Sequence, residues 1–218
     1  MAAERSAAPA PSKQAGYYRN ERADVVGGLP RPIGRALDVG CGAGRVAAGL
    51  REAEATEVVG VEVDPDAAAS ARRVVDALLE MPVEQAIDEL EGEFDTILCL
   101  DVLEHLVDPG SVLARLRGVA ATGARLQVSV PNARHYSLIR DLLLRGTFGY
   151  TDWGHRDSTH LRWFTRRDAA RLVADAGWEV TGTSWPPLGR SKLLHRASGG
   201  RSSELLVAQV YVSARNPG

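Results

Sequence analysis

Asp101-Val-Leu-Glu104-His105-Leu sets two carboxylates and an imidazole close together in the chain. If a helical turn starts at Asp101, Glu104 and His105 are its i+3 and i+4 neighbours and all three share one face. Two carboxylates and an imidazole converging in this way make a divalent-metal site, while an imidazole alone serves as a proton acceptor. The competing reading of Leu-Glu-His-Leu is a histidine that packs against a neighbouring loop or acts directly as a base. Further on, His135, Tyr136, Tyr150, Trp153, His155 and Asp157 gather in residues 131–164, a stretch rich in His, Trp, Tyr and Arg. Each alone is more often structural than catalytic. Together they read as the wall of a binding surface, with His135 and His155 as reserve bases.

A second cluster precedes these. Residues 36–46 read Ala-Leu-Asp-Val-Gly-Cys-Gly-Ala-Gly-Arg-Val, an apolar run that turns at Gly40, Gly42 and Gly44 into a helical pattern. Glycines there let the backbone turn tightly and approach a ligand, and a following helix offers unpaired N–H groups. Val58-Val-Gly-Val-Glu62 is a second buried strand, and its acidic end lies about 20 residues past the glycines, where a carboxylate takes both ribose hydroxyls of a nucleotide-like cofactor.

The elements that must position these groups alternate. Strand 35–39, helix 44–53, strand 57–63 and helix 66–75 come first. Ala77-Leu-Leu-Glu-Met-Pro fits a third strand by spacing, Phe94–Leu100 a fourth and 125–130 a fifth, with a capped helix from Pro109 between the last two. Such alternation predicts parallel strands with right-handed crossovers. After residues 131–164 break the pattern, Thr165-Arg-Arg-Asp opens a helix to Ala176-Gly177, and Trp178–Thr183 with Leu205–Val212 read as a closing β-pair. The expected fold is α/β and Rossmann-like: a seven-stranded, mostly parallel sheet with helices on both faces and an antiparallel last strand. Ligands of such sheets gather at the carboxyl ends of the strands, where the glycine loop, Glu62 and Asp101 fall. Residues 1–15 read as a disordered tail, and 16–218 as one domain carrying the insertion 131–164. Tyr17-Tyr18-Arg-Asn-Glu-Arg reads as a short helix, placed either over a bound cofactor or on the surface.

Composition bounds the partners. A chain of 218 residues, 44% hydrophobic and 25% charged, suits one soluble α/β domain. The net charge of −2 argues against a nucleic-acid footprint. No apolar stretch approaches the ~20 residues that span a bilayer, and the first ten residues lack the apolar core of a signal peptide. Cys41 and Cys99 are the only cysteines and read as reduced thiols, so a cytoplasmic protein is expected. Arg162, Arg166, Arg167 and Arg171 read as a solvated helix face.

The wording Asp38-Val-Gly-Cys-Gly-Ala-Gly resembles class I S-adenosylmethionine-dependent methyltransferases rather than nicotinamide-dependent dehydrogenases. The resemblance implies the class I methyltransferase fold. It puts S-adenosyl-L-methionine at Gly40, Gly42 and Gly44, with Asp38 near the methionine amine and Glu62 on the ribose. Val63, Met81 and Asp101 complete the implied cofactor set. In the family an Asp after the third strand meets the adenine amine; here Glu80 or Met81 holds that place.

Asp-x-x-Glu-His resembles the Glu-x-x-Glu-His element of ubiquinone-pathway O-methyltransferases and small-RNA 2′-O-methyltransferases, where it holds a divalent ion. Asp101 departs from the pattern by one methylene. The small-RNA enzymes add a downstream His from a segment that Thr159-His160-Leu-Arg-Trp-Phe-Thr resembles. The implied ligands are therefore Asp101, Glu104, His105 and His160, for Mg²⁺ or, with two imidazoles, Mn²⁺ or Co²⁺.

These readings describe an enzyme that methylates a hydroxyl of a small molecule. A metal lowers the pKa of an unactivated hydroxyl and holds it in line, and Tyr and Trp faces beside Arg and Asp suit a polyhydroxylated ring, so a sugar or glycan is favoured. Neither a nucleic acid nor a membrane is expected as a partner; a homodimer is allowed for. One alternative is a metal-independent O- or N-methyltransferase with His105 or His135 as base. Another is an RNA 2′-O-methyltransferase, against which the net charge argues. A third is a non-catalytic partner protein. Val130-Pro-Asn-Ala-Arg-His-Tyr, with Leu142–Phe148 and Asp157–Leu161, resembles a methyltransferase-like protein of bacterial methionine biosynthesis.

Overall fold

A computed structural model describes residues 23–152, 154–185 and 203–218. The expected tail at 1–15, the Tyr17-Tyr18 helix and Trp153 lie outside the described residues.

Strands β1 (Gly34–Val39), β2 (Ala55–Val61), β3 (Ala77–Leu79), β4 (Phe94–Leu100), β5 (Ala120–Pro131), β6 (Glu179–Ser184) and β7 (Gln209–Arg215) form one seven-stranded sheet in the order β3-β2-β1-β4-β5-β7-β6. The pairs β2–β3, β1–β2, β1–β4 and β4–β5 are parallel, and β7 runs antiparallel to both β5 and β6. Helices α1 (Ala23–Val26), α2 (Ala47–Glu52), α3 (Pro65–Ala71), α4 (Val83–Glu89), α5 (Pro109–Leu116), α6 (Tyr136–Arg145) and α7 (Arg166–Asp175) connect and cover them. This is the expected seven-stranded, mostly parallel Rossmann-like sheet.

Side-chain alternation along the strands divides the interior in two. Leu37, Val39, Val59, Val61, Ile97 and Cys99 point to one face and pack in a cluster with Val83 and Ile87 of α4, Leu113 of α5 and Val173 of α7. Ala36, Val58 and Leu98, one residue out of phase, meet Val26 of α1 and Ala47 and Leu50 of α2 on the other. Buried on both faces, β1, β2 and β4 therefore read as continuous apolar runs rather than alternating ones. Trp178 closes the larger core, its Nε1 donating to the Leu113 carbonyl at 2.9 Å.

Several boundaries differ from expectation. Helix α2 starts at Ala47 rather than residue 44, because residues 44–46 are spent completing the glycine turn. Helix α3 is stopped early, at Ala71, but begins as capping chemistry predicts, with the Asp64 carboxylate accepting the Ala67 amide at 2.8 Å. Helix α4 was not foreseen; Val83, Ala86 and Ile87 supply its buried stripe. The last strand begins at Gln209 instead of Leu205, since Ser203–Leu206 forms one helical turn that Glu204 ties to Arg166 at 2.6 Å. That ion pair shows that Arg166 is structural rather than merely solvated. No helix among the described residues is long and apolar enough to cross a membrane. Cys41 and Cys99 are both buried and unpaired thiols.

Candidate active site

The carboxyl ends of the parallel strands β1, β2, β4 and β5 face one edge, and the glycine loop, Glu62 and the turn Leu103–His105 follow them there. Beyond β1 the chain takes left-handed conformations at Gly40 (φ 66°), Gly42 (φ 55°) and Gly44 (φ 73°). At Gly40 the requirement is double. A Cβ would also stand 2.5 Å from Cγ2 of Val102, so the loop after β1 lies directly against the turn after β4. A Cβ at Gly44 would meet Val74 Cγ2 at 2.4 Å.

Glu62, just past β2 and nearly buried, closes this loop. Its Oε2 accepts the Gly42 amide at 2.7 Å, and its Oε1 accepts the Val63 and Asp64 amides at 2.9 and 2.8 Å. The carboxylate is thereby held at the mouth of the loop, with further lone pairs to accept hydroxyls. Asp38 lies inside β1 between Gly60 and Leu98. Burial, and then the Glu62 charge, push its carboxyl up to about 7. Burial likewise raises both cysteine thiols, so neither is a nucleophile. Val63 is exposed, and its amide rather than its side chain serves Glu62. Met81 packs on the edge of the larger core beyond β3, and Glu80 is paired with Arg72.

After β4 the structure groups three of the four expected metal ligands and bonds the fourth, Asp101, to other side chains. Asp101 takes a left-handed conformation (φ 58°), and the helical turn starts only at Leu103, as a 3₁₀ turn over Leu103–His105. The i+3 and i+4 alignment therefore fails. The Asp101 carboxylate accepts Ser129 Oγ at 3.0 Å and Gln209 Nε2 at 2.8 Å, joining β4 to β5 and β7. Glu104, His105 and His160 do converge: one ligand atom from each lies within 4.8 Å of the others. The two rings meet edge-to-face with centroids 4.8 Å apart. His160 reaches this place because the Leu161 and Arg162 amides both donate to the Glu104 carbonyl, at 2.8 and 3.1 Å. Thr159 Oγ1 lies 3.3 Å from His105 Nδ1 and donates to Asp157 Oδ1 at 2.7 Å.

His135 and His155 form a separate group beyond β5. The hydroxyl of Ser137 lies 2.8 Å from His135 Nδ1 and 3.1 Å from His155 Nε2, and the rings are 4.9 Å apart. Phe148, Tyr150 and Trp163 make a third cluster in the same insertion, with Phe148 4.8 Å from Tyr150 and 5.2 Å from Trp163. Tyr150 and Trp163 stay exposed. Sequence reasoning missed Ser137, Ser129, Gln209 and Thr159. Only Ser137 carried a local signal, two residues past His135 and on the first turn of α6.

Residues 9–182 match a family model described as a methyltransferase domain. The ubiquinone biosynthesis O-methyltransferase of Thiobacillus denitrificans is 31% identical over 173 residues, which cover 71% of this chain and 69% of that protein. A methyltransferase dependent on adenosylmethionine from Archaeoglobus fulgidus superposes with a TM-score of 0.64 at 13% identity, over 85% of this chain and 87% of the other. Magnesium protoporphyrin IX methyltransferase from Synechocystis PCC 6803, solved with bound S-adenosylmethionine, gives 0.55 at 17% identity, over 89% and 79%.

Proposed function

Because this chain belongs to the class I adenosylmethionine-dependent methyltransferases, we propose that it methylates a hydroxyl oxygen on a small ring-bearing acceptor, with a divalent cation held by Glu104, His105 and His160. The observation that carries the reading is the convergence of those three side chains on the turn that packs against the cofactor loop at Gly40. A carboxylate and two imidazoles are a donor set that suits Mn²⁺ or Co²⁺ better than Mg²⁺, so the residues fit such an ion. Held there, such an ion would lower the pKa of a neighbouring hydroxyl.

The chain's own residues do the rest. The glycine-loop amides and Asp38 receive the methionine end, Asp38 its ammonium, and Glu62 holds the ribose. The transfer is an in-line displacement: the acceptor oxygen forms a bond to the methyl carbon while the S–C bond breaks and its electron pair neutralises the sulfonium. Holding both reactants in that line supplies much of the rate. Phe148, Tyr150 and Trp163 offer faces on which a ring stacks. The O-methyltransferase relatives support an O-acceptor; they give no support to a sugar over a phenol, and the aromatic faces suit either.

Methyl-labelled adenosylmethionine should be incubated with catechol and with methyl glucoside, with Mn²⁺ and after exhaustive chelation. Label on an acceptor oxygen is expected, with loss of turnover on chelation. Full turnover in chelator would end the metal assignment, and the absence of transfer to any hydroxyl would end the acceptor assignment.

A further inference from the structure

The insertion 131–164 carries three histidines, and only His160 belongs to the metal-type cluster. The segment between α6 and α7 docks at two places five residues apart: His160 beside Glu104 and His105, and His155 beside Ser137 and His135. The first lies past the end of β4 and the second past the end of β5, adjacent strands whose carboxyl ends share one edge. His135 and His155 are thus neighbours of the place where an acceptor must lie.

We propose that Ser137 is a positioning residue which, bridging the two rings, fixes His135 as the base that takes the acceptor hydroxyl's proton during methyl transfer. The inference rests on the O-methyltransferase reading above. A hydroxyl has one proton, so Ser137 donates to only one of the imidazoles and accepts N–H from the other. His135 Nδ1 is the closer nitrogen, at 2.8 Å. With Nδ1–H donated to Ser137 Oγ, the His135 Nε2 lone pair faces outward, and the serine proton goes to His155 Nε2. As the C–O bond forms and the S–C bond breaks, the acceptor O–H proton passes to Nε2. The resulting imidazolium keeps its stronger Nδ1–H bond to the serine.

The surroundings keep the pair neutral and ready. Burial and then Arg156 lower the pKa of His135, and burial, His135 and Arg156 lower that of His155. A charge on His135 thus opposes one on His155, so the pair carries at most one proton charge at a time. Arg156 is itself fixed by Asp141 of α6, 2.9 Å away, and the Tyr136 ring lies 4.8 Å from His135.

The chain has five histidines, so imidazole NMR of the full protein with bound S-adenosylhomocysteine resolves each titration. Ser137→Ala should lower the His135 midpoint by about 0.5–1 pH unit, the worth of one hydrogen bond, and Ser137→Thr should restore it. The acid limb of kcat/KM for whichever of catechol or methyl glucoside is turned over should shift by the same amount. His135→Gln should remove that limb and lower kcat at least tenfold, with S-adenosylhomocysteine affinity retained. Unchanged imidazole titrations in Ser137→Ala, or an unchanged pH profile in an active His135→Gln, would overturn the inference while leaving the O-methyltransferase reading intact. Failure of the wild-type protein to methylate any hydroxyl overturns that reading and the base role with it.

Discussion

Glu62 accepts the backbone N–H of Gly42 at 2.7 Å, so one side chain from the end of β2 ties down the loop that follows β1. The contact bridges the two sequence features that stand 20 residues apart. It also fixes the carboxylate before any ligand arrives, which lowers the ordering cost of binding.

Glu62→Ala should weaken S-adenosylhomocysteine binding about 5- to 150-fold, the equivalent of ~1–3 kcal/mol for two hydroxyl hydrogen bonds. Isothermal titration measures it directly. An unchanged Kd would mean that the ribose lies elsewhere.

Asp38 should make cofactor binding depend on pH. Its carboxyl is pushed up to about 7 in the folded protein, against 3.8 for the unperturbed group. Below pH 7 it is protonated and must lose that proton to meet an ammonium, so affinity should fall toward tenfold per pH unit there and level off above. The stability term has the opposite sense: with the folded pKa raised, its contribution is full below 3.8 and is lost as pH rises through about 7. Thermal stabilisation by S-adenosylhomocysteine should therefore be larger above pH 7 than below, and Asp38→Asn should flatten both profiles.

Gly40→Ala should destabilise the fold by roughly 1–3 kcal/mol in urea unfolding, from backbone strain plus the clash with Val102. Adding Val102→Ala should recover only the clash, because the φ of 66° is unaffected. Full recovery in the double variant would show that the backbone contributes nothing.

Mn²⁺ binding, followed by titration calorimetry, should be abolished by His160→Ala while S-adenosylhomocysteine affinity stays within about twofold. Asp101→Ala should affect Mn²⁺ much less than His160→Ala, since that carboxylate is engaged by Ser129 and Gln209. A larger effect at Asp101 would restore it to the ligand set.

The sequence by itself determined the sheet and the edge that carries the glycine loop and Glu62. Short, mainly apolar runs at 35–39, 57–63 and 94–100, alternating with helical patterns, read as strands covered on both faces, and glycines before a helix with an acid at the end of the second strand are local patterns. Because these features sit within one βαβ unit, spacing along the chain equals placement in space. Helix α4 lacks a start signal, since Pro82 at its N-cap offers no side-chain hydrogen bond, whereas α3 of the same length opens on the Asp64 cap.

The acceptor side was decided by tertiary structure. Asp101, Glu104 and His105 promise one helical face, yet the left-handed turn at Asp101 breaks that face and its carboxylate bonds to Ser129 and Gln209. Gln209 is 108 residues distant in sequence, and no periodicity encodes such a contact. His155 and His160 look like one cluster in the chain, but the amide bonds from Leu161 and Arg162 to Glu104 pull one toward β4 while Ser137 holds the other beyond β5. Irregular segments have no internal period, so their side chains are directed by the elements they dock on, and only the folded molecule supplies those.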